Sequence, residues 1–179
     1  MSEKETAIPK GQKISDVMDL FTYGIYAIGS VRDEQPNFMI ADWVLQISFN
    51  PRLVLVAFEK DSFSRESIIL NNIFNINILS KQNIETARKF LQPKRSSKIK
   101  GRSDKTQNVI VDKLKDIDYY KDELGLPILN DCVAYIQCKV TDNYELGDHT
   151  LIVGEVTEGS ILNYEDPMSS IDTGWHYSG

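Results

Sequence analysis

Residues 37–60 read NFMIADWVLQISFNPRLVLVAFEK. Two runs dominated by β-branched, aromatic and aliphatic residues, 40–49 and 53–59, flank Asn50-Pro51. Asparagine and proline favour turn geometry, and proline has no N–H to give a ladder, so the pair punctuates two strands.

The same signature recurs outward along the chain. Segments 23–31 (YGIYAIGSV), 74–79, 134–141 and 150–157 are short, rich in strand formers, and bounded by Gly, Pro, Asn or Asp. Within 73–79 (IFNINIL), Phe74, Ile76 and Ile78 share one face of a strand and Asn75 and Asn77 the other. Two segments carry a helical pattern. Residues 64–72 follow Ser62, a suitable N-cap, and residues 82–91 place Ile84, Ala87, Arg88 and Leu91 on one stripe before Pro93 stops the helix. Six or more short strands with a few helices between them predict a mainly β protein, an antiparallel barrel with helical insertions rather than a βαβ fold.

At 179 residues the chain fits one core, with 41% hydrophobic and 26% charged residues as in ordinary globular proteins. The expected division is a polar, flexible arm over 1–16 and one domain over 17–179. A net charge of −6 argues against a general binder of nucleic acid or membrane surfaces. The N-terminus MSEKETAIPKGQKIS lacks the apolar stretch of a signal peptide, and no run nears the roughly 18 apolar residues of a membrane span, so a cytoplasmic location is expected. Cys132 and Cys138, six apart in a strand, would lie about 20 Å apart, too far to pair or to share an ion.

The chain lacks a Walker loop, a G-x-G-x-x-G after a strand and a G-x-S-x-G elbow. His149 and His176 are its two histidines, neither at metal-ligand spacing from a carboxylate or thiol, and no metal is expected. Residues 94–105 (KRSSKIKGRSDK) hold six basic residues without aromatic interleaving. They read as a solvated loop or as a basic flap over an anionic ligand, and less well as a base-stacking surface.

The order Ala41-x-Trp43, Gln46-x-Ser48, Asn50-Pro51 and a strand ending in Glu59-Lys60, followed by DSFSRESI over 61–68, resembles the flavin reductase-like, FMN-binding split-barrel family. Similarity continues through 74–79, 87–90, GLPILNDCVAYIQCKV over 125–140, GDHTLIVGEV over 147–156 and the C-terminal DTGWHYSG from Asp172. It spans residues 17–179, and the joint order is more specific than any single piece. The resemblance implies a six-stranded split barrel holding FMN, or FAD, near the interface of a homodimer. It also implies NADH or NADPH as co-substrate and an electron-accepting protein or oxygenase as partner.

Flavin chemistry gives these residues work. An isoalloxazine ring needs a flat apolar slot with a few donors and acceptors, and a phosphate needs hydroxyls, N–H groups or a cation. The implied site draws its ring contacts from Asn37, Met39, Ile40, Ala41, Asp42 and Trp43. Gln46 and Ser48 point from one side of a strand, Ser62 and Ser64 meet the phosphate at a helix start, and Lys60 and Arg88 bring charge. His149 is the residue expected beside the nicotinamide. Plainer roles stand next to these: Trp43 as a core aromatic, Ser62 as an N-cap, Arg88 in a surface ion pair, His149 as a turn cap. Trp175, His176 and Tyr177 are expected to dock the tail on a sheet or a partner.

The chain departs from the family where Phe38, Ile40 and Asp42 replace the usual Gly, Thr and Ser. Two hydroxyls are lost and a carboxylate is gained that would repel phosphate if it faced the tail. The resulting expectation is an NAD(P)H:flavin oxidoreductase, with a non-catalytic FMN-binding or electron-carrier module as the alternative.

Overall fold

The computed structural model describes residues 14–92 and 112–175. The arm 1–13, Pro93, the basic run 94–105, His176 and Tyr177 lie outside the described residues. The helix α1 (Ile14–Met18) overlaps the last residues assigned to the arm.

Seven strands form one antiparallel sheet: β1 (Tyr26–Arg32), β2 (Gln35–Ala41), β3 (Val44–Phe49), β4 (Arg52–Glu59), β5 (Ile73–Ile78), β8 (Ala134–Leu146) and β9 (His149–Ile161). Between β5 and β8 a short hairpin pairs β6 (Tyr119–Lys121) with β7 (Pro127–Leu129). The order across the main sheet is β2-β1-β5-β8-β9-β4-β3. Its two outermost strands, β2 and β3, are consecutive in the chain and joined by Asp42 and Trp43 alone. From Ala41 to Val44 the backbone reaches at most about 10 Å. The sheet edges therefore meet at this corner and the sheet must curl around a core, although no β2–β3 ladder closes it.

The sheet thus has seven strands where six were expected. The added one, β2, opens with Gln35-Pro36-Asn37, which reads as a turn in isolation. Pro36 is tolerated because β2 is an edge strand paired only to β1. The expected strand 40–49 is in fact the end of β2 and all of β3, broken at Asp42-Trp43, where the Val44 N–H turns back to the Asp42 carbonyl at 2.9 Å.

The long hairpin β8–β9 turns through Gly147-Asp148, with Gly147 at φ 54°. Such a two-residue loop favours positive φ, hence glycine.

The curled sheet encloses Ile28, Val56, Phe58, Phe74, Ile76 and Ile152, capped by Ile68 of α2 (Phe63–Asn71). Gly154 lies against Phe74, and a Cβ there would sit 2.7 Å from the ring. A second core lies outside β1 and β2. There Phe38 stacks on Phe90 at 4.8 Å, joined by Ala27, Leu79, Leu129 and Met168.

Helix α3 (Ile84–Phe90) follows the 3-10 turn Lys81–Asn83. Its buried residues are Ala87 and Phe90, with Asn83 just before, rather than the expected stripe. Arg88 and Leu91 face solvent, because Phe90, the largest apolar residue available, takes the inward position against Phe38.

Asn75 and Asn77, the polar face of β5, are fully buried. Their amides hold the segment around β7: Asn75 Nδ2 donates to the Pro127 carbonyl, Asn77 Nδ2 to the Ala27 carbonyl, and Asn77 Oδ1 accepts from Leu129 N–H. Buried amides are tolerable when satisfied in this way. Cys132 and Cys138 are buried free thiols, each pushed up to about 12 chiefly by burial.

Candidate functional site

Ser62 caps α2, its side chain accepting from Arg65 N–H at 3.5 Å. The cap fixes the helix start beside the β2–β3 corner, and a cleft of about 720 Å³ opens between them. The corner supplies Asn37, Met39, Ile40, Ala41, Asp42 and Trp43, while the α2 start supplies Ser62, Phe63 and Ser64. His149 arrives from the first position of β9, opposite Glu59 in the β4–β9 ladder.

Two strand pairings bring His149 to Trp43: β3 on β4, and β4 on β9. Their rings lie 4.9 Å apart, tilted by 39°. His149 Nδ1 meets Asp148 Oδ1 at 2.7 Å. That hydrogen bond, before any other cause, holds the Asp148 carboxyl below its ordinary range. Asp42 moves the other way, raised by burial against the opposing pull of its own and Trp43's backbone N–H groups.

At the inner end, Asn37 is 1% exposed and Ser64 2%. Asn37 Nδ2 donates to Ser64 Oγ at 2.8 Å, while Asn37 Oδ1 is buried without a donor among the described residues. Ser62 Oγ approaches Met39 Sδ at 3.8 Å. The other end is floored by Phe90, Leu91, Thr173 and Trp175, with the buried Lys113 donating to the Phe90 and Gln92 carbonyls at 3.5 and 3.3 Å. Backbone bonds from Ile25 and Ser170 to Met168 and Tyr23 hold the C-terminal segment there, so the tail docks on its own chain through Trp175. The described lining carries carboxylates on Asp19, Asp42, Glu59 and Asp61 and one ammonium on Lys113.

Nine of the thirteen residues singled out from the sequence thus line one cleft, and four lie outside it. Gln46 and Ser48 sit on an exposed edge strand. A bulge between them sets Gln46 opposite Val54 and Ser48 opposite Leu53, so they do not share a face as regular alternation predicts. Lys60 Nζ pairs with Glu145 at 3.3 Å. Arg88 pairs with Glu85 one turn back on α3, on a separate shallow groove. Tyr23, Lys113 and Ser170 line the cleft without having been singled out, since they come from distant segments with no local motif. Among the described residues no three His, Cys, Asp or Glu are grouped to hold a metal ion, and no helix is long and apolar enough to cross a membrane.

Comparison with known proteins identifies the family. Residues 18–176 match the model of the flavin reductase like domain. The putative diflavin flavoprotein A 6 of Nostoc sp. is 31% identical over 143 residues, covering 78% of this chain and 23% of that protein. The high molecular weight rubredoxin of Moorella thermoacetica is 27% identical over 149 residues, 83% of this chain and 60% of that one. The chain therefore spans less than two thirds of these relatives. The crystal structure of nitrilotriacetate monooxygenase component B from Mycobacterium thermoresistibile superposes with a TM-score of 0.72 at 27% identity, over 86% of this chain and 77% of that one. With the family match running from the end of α1 to the C-terminal tail, the chain belongs to the flavin reductase-like family.

Proposed function

We propose that the protein is an NAD(P)H-dependent flavin reductase that binds FMN in the cleft at the β2–β3 corner. The observation that carries this reading is the convergence there of the Trp43–His149 ring pair and the α2 start on one cleft. The residues fit the group: an aromatic wall for a planar ring, and hydroxyls and helix N–H groups for a phosphate. When bound, the flavin would supply the hydride acceptor for a reduced nicotinamide and pass electrons onward.

The chain's own task is positional. Trp43 and the apolar side chains of Met39, Ile40 and Ala41 shield one side of the slot, Ser62 and Ser64 orient the tail, and His149 orients the nicotinamide at the cleft mouth. Few acid or base groups are needed for such chemistry. Gln46, Ser48, Lys60 and Arg88 sit outside this cleft in a single chain, and a role for them depends on a second subunit or on rearrangement.

A homodimer is part of the reading. On edge strand β3, Leu45, Ile47 and Phe49 are exposed beside the cleft, Phe49 at 86%. An uncovered apolar edge of this kind invites pairing. The electron acceptor is proposed to be a protein or an oxygenase component, in keeping with the printed names of the diflavin flavoprotein, rubredoxin and monooxygenase-component relatives.

Purified protein is expected to bind FMN with a perturbed flavin absorption spectrum and to oxidise NADH or NADPH above the protein-free rate with FMN added. Bound yellow flavin with no nicotinamide turnover would favour the electron-carrier reading, which the carboxylates of the cleft support. Protein indifferent to FMN and FAD would overturn both.

A further inference from the structure

We infer that Glu145 is a positioning residue: gripped by Arg65 of α2, it fixes the β8–β9 turn against the helix start and so holds His149 on Trp43. This rests on the flavin reading for what His149 orients, whereas the hold itself belongs to the unliganded chain.

His149 sits where its strand is least secured. It forms the end rung of the β4–β9 ladder, opposite Glu59, and of the β8–β9 hairpin, opposite Leu146. By this point β8 has left β5, whose last rung on it is Ile73 opposite Lys139, so among the described residues 142–146 pair with β9 alone. Strand ends of this kind open most readily, and a side chain carried there keeps its direction only under a further restraint.

The restraint is a closed set of hydrogen bonds between the turn and α2. Arg65 Nε donates to Thr150 Oγ1 at 2.6 Å and Arg65 Nη2 to Glu145 Oε1 at 2.6 Å, while the Thr150 hydroxyl donates to the same Oε1 at 2.9 Å. Thr150 is fully buried, and its hydroxyl gives its one hydrogen to Glu145 while accepting from Arg65. Lys60 Nζ meets Glu145 Oε2 at 3.3 Å, and the Lys60 N–H donates to the Asp148 carbonyl at 3.2 Å, so the chain after β4 grips the turn as well.

Glu145 and Thr150 face each other across the hairpin, one rung inside the Leu146–His149 pair. Successive side chains of a strand leave by opposite faces. With Thr150 fixed toward α2, His149 leaves toward the cleft, where its ring meets Trp43 at 4.9 Å. The Arg65 hydrogen bond, first among the causes, holds the Glu145 carboxyl below its ordinary range. Its side chain is 46% exposed, and an exposed ion pair adds little to global stability. What the network fixes is the direction of His149 rather than the fold.

The test is read first without ligand, on full-length protein, as the NMR resonances of the His149 ring at about pH 8.5, above the ordinary imidazole range. The resonances are assigned by their absence in His149→Ala, and Trp43→Leu gives their positions without the indole. Glu145→Gln, which keeps the volume and removes the charge, should move them most of the way to the Trp43→Leu positions while the urea midpoint of unfolding stays close to that of the unaltered protein. Read next in turnover, Glu145→Gln should lower kcat for nicotinamide oxidation by about threefold to tenfold, with FMN affinity within about twofold, and should lower it no further in a His149→Ala background, because it acts through that ring. Unmoved His149 resonances, or losses that multiply in the double variant, would overturn the inference alone. An unaltered protein that binds no flavin or oxidises no nicotinamide would overturn the flavin reading, and the resonances would then decide by themselves whether Glu145 holds His149.

Discussion

Trp43 and His149 are 106 positions apart in sequence, yet their ring centroids lie 4.9 Å apart at the cleft mouth. His149 is tethered on its far side to Asp148, so the imidazole is held between a carboxylate and an indole. On the proposed reading this ring orients the nicotinamide. His149→Ala should lower kcat for nicotinamide oxidation by about tenfold while flavin affinity shifts less, because misplaced reactants lose the advantage of alignment. Steady-state kinetics with a separate FMN titration checks this; equal loss in both would assign His149 to the flavin instead.

The C-terminal segment that floors the cleft is fastened by Lys81 and Asp172, 2.9 Å apart. The Lys81 hydrogen bond, chief among the causes, draws the Asp172 carboxyl down to about 2, and the same partner raises Lys81. A depressed carboxyl stabilises the folded form above its ordinary value, about 3.9, and loses that contribution as pH falls toward 2. The raised lysine contributes fully below its ordinary value and loses its share only in strong alkali. Trp175 fluorescence should therefore report loosening of the tail between pH 4 and 2, and Asp172→Asn should loosen it already at neutral pH. Both groups are solvent-exposed, so global stability should change little.

Gly154 is required by packing. Its ideal Cβ position is 2.7 Å from Phe74 and 2.9 Å from Cys138 Cβ, inside a core with no slack. Gly154→Ala should destabilise the protein by about 1–3 kcal/mol, as overpacking does, measured by urea denaturation. Phe74→Leu in the same background should recover part of the loss by vacating the ring position.

The strands, the Ser62 cap and most of the cleft were legible because they depend on local composition and on a contiguous motif: Asn37, residues 39–43 and residues 62–64 reach the cleft from two short stretches of chain. What stayed hidden depends on tertiary context. Regular alternation places Gln46 and Ser48 together, but a bulge is not written in composition. A helical wheel leaves Arg88 free to turn inward until Phe90 claims the buried position. Arg88→Ala is accordingly expected to leave FMN affinity within about twofold, the scale of an exposed ion pair.

The edge strand β3 supplies the last expectation. Leu45, Ile47 and Phe49 are 62%, 43% and 86% exposed, and β3 pairs only with β4. Single exposed apolar residues are ordinary, but three within five positions of an edge strand whose outer side has no ladder partner invite a covering chain. The strand's nearness to Trp43 means that a covering subunit would also border the cleft. The protein should sediment as a dimer, and Phe49→Lys with Leu45→Lys should yield a folded monomer, since both side chains already face solvent in one chain. Because the neighbouring subunit would then no longer wall the cleft, FMN affinity should fall with dimerisation. A double-lysine variant that stays dimeric would place the interface elsewhere, and a monomer with undiminished FMN affinity would show the cleft to be complete within one chain.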